Sequence, residues 1–197
     1  LLTSVINQNT IEHLHRYSIA TEFSKNKSVL DIACGEGYGS MLLAKNSARV
    51  VGADISEEAV NHAKNKYIKE NLGFIQCSAE NIPIECNSIE LVISFETIVH
   101  VDDHIKMLSE IKQILKEKGI LIISSPDKIC NTDLKEYENP YHIHELYEKE
   151  FKDLINKNFK YVKFLKQRVD LVSIIRDDSF ETNLNFFTGD YNEVKQE

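Results

Sequence analysis

The chain has 197 residues, 42% hydrophobic and 27% charged, enough for one domain that buries roughly two-thirds of its unfolded surface without disulfide or metal staples. Lys and Arg (23) against Asp and Glu (31) give a net charge of −8, which argues against long nucleic acid or an anionic membrane as the main partner, since both reward clustered basic surface. Apolar runs such as residues 120–123 fall far short of the roughly 20 residues that span a bilayer, and Cys34, Cys77, Cys86 and Cys130 lie singly, so membrane insertion, a disulfide framework and a thiolate zinc site are not expected. A cytoplasmic protein with reduced thiols is the expectation, and the Leu1-Leu2-Thr3 start without Met suggests a piece cut from a longer chain.

Residues 10–24 place Ile11, Leu14, Tyr17 or Ser18, Ala20 and Phe23 on one helical stripe with Thr10 as N-cap, predicting a leading helix. Residues 28–33 form an apolar run stopped by Gly35-Glu36-Gly37-Tyr38-Gly39, after which Met41, Leu42, Leu43 and Ala44 resume as a helix. Residues 48–54 read as a second buried strand, followed by Ser56 as N-cap, Glu57 and Glu58 in the first turn, and Val60, Ala63 and Tyr67 on one face. Residues 73–77 and 89–95 give two further strands around a loop at Pro83. The next helix is capped by Asp102 or Asp103, carries Met107, Leu108, Ile111, Ile114 and Leu115, and stops at Gly119, before a fifth strand at residues 120–124.

Residues 126–140 exceed the usual αβ connection of about 2–6 residues, which makes 126–145 a candidate substrate loop. Tyr147, Phe151, Leu154 and Ile155 predict another helix and residues 161–165 a sixth strand, while residues 180–197 signal no last strand. Apolar strands alternating with helices predict an α/β fold with a doubly wound, mostly parallel sheet. One domain is expected over residues 1–197, with its core at 10–165 and a C-terminal segment at 166–197.

The glycine cluster falls at the carboxyl edge of the first strand, where open α/β sheets bind ligands. Its spacing is G-x-G-x-G rather than the dinucleotide G-x-G-x-x-G, because Ser40 holds the last position. Asp54 ends the second strand 19 residues after Gly35, near the roughly 20 of a ribose-binding acid, and a carboxylate there accepts from two adjacent ribose hydroxyls. The alternative for Asp54 is a cap on the helix at Ser56.

Residues 29–40, Val-Leu-Asp-Ile-Ala-Cys-Gly-Glu-Gly-Tyr-Gly-Ser, resemble the first motif of class I S-adenosylmethionine-dependent methyltransferases, and Val51-Gly52-Ala53-Asp54-Ile55-Ser56 resembles the second. Residues 77–83 are similar to the third, with Ser78 where the family commonly has Asp; residues 93–100 are similar to the fourth, and Ser124-Ser125-Pro126 to the strand that follows. The resemblance runs in order over residues 10–165. It implies a Rossmann-like sheet of the seven-stranded type, S-adenosyl-L-methionine as cofactor and S-adenosyl-L-homocysteine as product. It also implies a cofactor site in which Asp31 and Gly35 lie near the methionine end, Asp54 binds the ribose, Ile55 packs on adenine and Ala79 with Glu80 faces its edge. Ala33, Gly37, Asn81 and Phe95 are counted among the same cofactor-binding residues. Residues 12–17 resemble an opening segment of a glycan-associated subset, in which Arg16 would hold the cofactor's carboxylate bidentately. The alternative for Arg16 is a solvated helical arginine.

Methyl transfer to a hydroxyl needs an aligned acceptor and a base. His100 is best placed, with Asp103 and His142 as companions and a free loop histidine as the alternative reading. Residues 96–100 also resemble an E-x-x-E-H metal pattern with Val99 in place of its second Glu; Glu96, His100 and one of His142 or His144 would then offer ligands to a divalent metal, against the main expectation of no metal. The favoured reading is O-methylation of a small polar acceptor such as a sugar, sugar nucleotide or glycan. An N- or C-methyltransferase, a nicotinamide oxidoreductase and a non-catalytic cofactor-binding domain are the alternatives; Ser40 and the lack of a paired Tyr/Lys pattern count against the oxidoreductase. The residues leave the oligomeric state open.

Overall fold

A computed structural model of the protein describes residues 8–134, 139–169, 187–188 and 195–196. Two compact units divide the chain, residues 1–166 and 167–197. The first carries α1 (Gln8–Ser24), β1 (Ser28–Ile32), α2 (Tyr38–Leu43), β2 (Arg49–Asp54), α3 (Glu57–Lys66), β3 (Leu72–Gln76), β4 (Ile89–Phe95), α4 (His104–Ile114), β5 (Leu115–Ser124) and α5 (Glu148–Asn158). In the second, β6 (Phe187–Thr188) pairs antiparallel with β7 (Lys195–Gln196).

Strands β1 to β5 form one all-parallel sheet in the order β3-β2-β1-β4-β5. The expected doubly wound α/β sheet is therefore present with five strands. Because the chain runs outward from β1 to β3 and then returns to β4 on the other side, the direction switches between β1 and β4, opening a crevice at their carboxyl ends.

Parallel strands need both faces covered, and the alternation of side chains assigns each face its helices. Leu30, Ile32 and Val92 face one way and pack with Met107, Ile111 and Ile114 of α4. Val29, Leu91, Ile93 and Phe95 face the other way, against Tyr17 and Ala20 of α1 and Leu43 of α2. The helices α1 and α2 touch at Gly39, where a Cβ would come within 2.0 Å of the Tyr17 ring.

The structure corrects four local expectations. Thr10 is not the N-cap of α1; it lies inside the helix and is buried. The buried face of α1 runs through Thr10, Tyr17, Ala20 and Ser24, while Ile11, Leu14 and Phe23 are exposed, because the close approach to α2 selects small side chains and one aromatic edge. Gly119 does not end α4, which stops at Ile114; the chain passes directly into β5 at Leu115 and bulges, so that Ile89 pairs with Leu115 but Leu91 with Ile120. Gly119 serves that bulge, since a Cβ there would lie 2.9 Å from the Lys116 carbonyl. Residues 161–165 form no strand, because a strand requires a partner and none of the described residues pairs with them. No helix among the described residues is long and apolar enough to cross a membrane.

Candidate active site

The loop after β1 sets the floor of the crevice. Ala33 leaves the strand with φ +58°, Gly35 follows with φ +53° and Gly37 with φ +82°. An L residue pays about 1 kcal/mol or more for that left-handed region, so Ala33 marks strain held in place by the surrounding fold. Gly35 and Gly37 differ in use. A Cβ on Gly37 would strike Phe74 at 2.7 Å, whereas a Cβ on Gly35 would meet nothing within 4 Å. Gly37 is thus buried against β3, and Gly35 fronts open space.

Asp54, at the end of β2, ties this loop to the next. Its Oδ2 accepts from Gly35 N at 2.7 Å and its Oδ1 from Ser56 N at 2.9 Å. Ser56 itself caps α3, its Oγ accepting from Ala59 N at 3.2 Å, so the helix does not depend on Asp54 for its cap. Beside it Ile55 is 71% exposed, an apolar side chain left uncovered at the mouth of a polar crevice. Across from it residues 78–81 make a tight turn: Asn81 N donates to Ser78 O and Glu80 N to Ser78 Oγ. Ser78, at a position where Asp is common, is consumed by that turn. Ala79 is buried, Asn81 exposed, and Glu80 accepts from Asp103 N at 3.0 Å, joining the turn to the start of α4. Asp103 also accepts from Lys106 N at 2.9 Å, which settles Asp103 over Asp102 as the N-cap of α4.

Behind the glycine loop lies Asp31, 1% exposed, accepting from Ser40 Oγ at 2.7 Å and from Tyr17 Oη at 3.0 Å. Burial raises its carboxyl to about 7, and the bonds from Ser40 and Tyr17 only partly oppose that rise. Burial likewise lifts Tyr38 to about 12. Asp31 therefore supports the loop from inside and does not line the crevice.

On the β4 side, Glu96 follows the strand with φ +58°, the counterpart of Ala33 on the neighbouring strand. Its carboxylate accepts from Arg16 Nη1 and from Ser124 Oγ, and Arg16 Nη1 also reaches Ser124 Oγ at 3.0 Å. The Arg16 guanidinium lies over the ring of Phe95, 5.8 Å from its centroid, so Phe95 is a buried support for Arg16. Arg16 Nε and Tyr38 Oη are buried with no hydrogen-bond partner among the described residues. Arg16 is thus not a solvated surface arginine.

His100 ends a short 3-10 turn, Ile98–His100, and is exposed. Its Nδ1 lies 2.7 Å from the Tyr141 carbonyl, and its ring meets that of His142 edge-on at 5.1 Å. The residues of the metal alternative lie apart in their contacts: Glu96 bonds Arg16 and Ser124, His144 lies against His104 with ring centroids 5.0 Å apart, and no three metal-ligating groups gather among the described residues. Sequence reading named His100 and His142 as companions, and their rings are in contact. It missed Glu96 as the partner of Arg16, and Tyr17 and Ser40 as the partners of Asp31, because neither separation carries a local signal. Glu145, three residues after His142, carries no local sequence signal for its role: it binds the loop, and Tyr147 is the N-cap of α5.

A methyltransferase domain family matches residues 23–171, and the chain belongs to that family, whose methyl donor is S-adenosylmethionine. The chain is 30% identical over 130 residues to the probable S-adenosylmethionine-dependent methyltransferase Rv3030 of Mycobacterium tuberculosis, covering 66% of this chain and 47% of that protein. It is 32% identical over 106 residues to the ubiquinone/menaquinone biosynthesis C-methyltransferase UbiE of Campylobacter jejuni, covering 50% of this chain and 44% of the other. The chain spans about half the length of these curated relatives. The YcgJ protein of Bacillus subtilis superposes with a TM-score of 0.65 at 22% identity, over 74% of this chain and 68% of that one, and shares the fold.

Proposed function

We propose that the protein is a cytoplasmic enzyme that transfers a methyl group from S-adenosylmethionine to a hydroxyl of a small polar acceptor such as a sugar, sugar nucleotide or glycan, without nucleic acid as substrate. The observation that carries the reading is the Gly35–Asp54 bond with Ile55 exposed beside it: an open glycine, a carboxylate and an uncovered apolar side chain at the switch point of the sheet. These match the phosphate-free chemistry of a nucleoside joined to an amino acid. Asp54 takes the ribose hydroxyls, Ile55 covers one face of the adenine, and Ala79, Glu80 and Asn81 border its edge. Gly35 and the strained Ala33 present the loop backbone to the methionine end. Arg16, whose buried Nε has no partner among the described residues, is the proposed cation for the methionine carboxylate.

When bound, the cofactor supplies an electrophilic methyl on a sulfonium. The chain's own task is then to align the acceptor and take its proton. His100 is exposed at the crevice with its Nδ1 on a carbonyl, which leaves Nε2 as the proton acceptor. His142 is the ring against which His100 rests, and Asp103, three residues after His100, caps α4. Incubation with methyl-labelled S-adenosylmethionine and a panel of sugars, sugar nucleotides and a quinol tests the assignment. Label recovered as a sugar methyl ether is the expected result, and label fixed only to a quinol ring carbon would replace O-methylation with C-methylation.

A further inference from the structure

Among the described residues of the 126–145 segment, three side-chain donors converge on Glu145. Its side chain is 7% exposed and takes three donors: Asn131 Nδ2 at 2.8 Å, Thr132 Oγ1 at 2.6 Å, and His142 Nδ1. The first two belong to a π-turn at Ile129–Asp133 and the third to the turn at 139–142, so one carboxylate joins both arms of the segment. Burial raises the Glu145 carboxyl, but the bonds from Thr132, His142 and Asn131 outweigh it and hold the group below its ordinary value.

The 139–142 turn is closed by Tyr141 N on Asn139 Oδ1 at 3.1 Å and His142 N on Asn139 O at 3.0 Å. Because Asn139 Oδ1 accepts from Tyr141 N, its Nδ2 is the atom that faces His142 Nε2, at 3.0 Å. His142 therefore donates from Nδ1 to Glu145 and accepts at Nε2, and both nitrogens are committed. The next residues dock on the turn that carries His100, through Ile143 N to Val99 O at 2.8 Å and His144 N to Val99 O at 3.3 Å. From this assembly the Tyr141 carbonyl meets His100 Nδ1 at 2.7 Å. A carbonyl only accepts, so Nδ1 of His100 carries the hydrogen and, in the neutral ring, Nε2 holds the lone pair.

The geometry points to Glu145 as the positioning residue for the base: by gathering Asn131, Thr132 and His142 it holds the Tyr141 carbonyl against His100 and selects the tautomer whose Nε2 accepts a proton. The inference rests on the reading of His100 as base. Glu145 touches neither the crevice nor His100 and acts only through the turn.

The tautomer of His100 can be read without any acceptor, from two-bond proton–nitrogen correlations of the full chain labelled with nitrogen-15 histidine, the signal being assigned by its loss in His100→Gln. The wild type shows Nδ1–H at His100. Glu145→Ala moves His100 toward the Nε2–H form that an unconstrained neutral histidine side chain prefers, Glu145→Gln keeps an acceptor oxygen and restores much of the native form, and both hold S-adenosylhomocysteine within about twofold of wild type. His142→Phe keeps a ring beside His100 but cuts its link to Glu145, and gives the same tautomer change even if Glu145→Ala does not fold. His100 remaining wholly Nδ1–H in either the Glu145→Ala or the His142→Phe protein overturns the inference. If the tautomer responds but His100→Gln still transfers methyl to a sugar acceptor, the base assignment fails and the positional control stands.

Discussion

Asp31 is a carboxylate held where no water reaches it, and its cost can be measured. In the unfolded chain it ionises through its ordinary value of 3.8, but in the fold only near 7, so folding binds a proton across that window. A raised folded value means the group's contribution to stability is fullest below 3.8, declines as pH rises, and levels off above about 7. Asp31→Asn removes that decline: its stability relative to wild type should rise between the two pH values by an amount on the order of a few kcal/mol, read from thermal melts at several pH values. Parallel profiles for the two proteins would show that Asp31 is ionised throughout. Arg16 makes a second residue-scale test, because S-adenosylhomocysteine carries a carboxylate and 5′-methylthioadenosine does not. Arg16→Ala should weaken the first by roughly tenfold or more and leave the second nearly unchanged, since a charge-assisted bond is worth about 1.5–3 kcal/mol. Equal losses for both ligands would place Arg16 in the support of the fold alone.

Elements were most legible where one periodicity dominates. The run 89–95 is β4 as read, and Met107, Leu108, Ile111 and Ile114 are the buried stripe of α4. Gly119 misled because a glycine after a helical stripe looks like a terminator, whereas here it relieves a bulge inside β5. The stripe on α1 misled for a different reason: its large apolar side chains do not set its packing, which is dictated by the close contact of Tyr17 with Gly39. Gly39→Ala should therefore cost about 1–3 kcal/mol by overpacking, visible as a lower urea midpoint, with the Tyr17–Asp31 bond disturbed. Asp103→Ala should lose about 1 kcal/mol as a missing N-cap while retaining most of its S-adenosylhomocysteine affinity. A variant as stable as wild type would deny the capping role.

At the scale of the molecule, a five-stranded parallel sheet brings together what the chain keeps apart. The contact between Gly35 and Asp54 in the candidate site was legible, because they lie on consecutive strand ends and spacing alone relates them. The β4 half was not, since Arg16, Glu96 and Ser124 meet only through the strand order, at separations of 80 and 108 residues. The same topology commits Glu96 to Arg16 and Ser124. What the whole arrangement claims is a nucleoside–amino acid site centred on Asp54, and calorimetric titration with S-adenosylhomocysteine tests it most directly. Wild type should bind it one to one, Asp54→Ala should lose at least about tenfold in affinity, and NAD should give no saturable heat. Undiminished binding by Asp54→Ala, or a preference for NAD, would contradict the account.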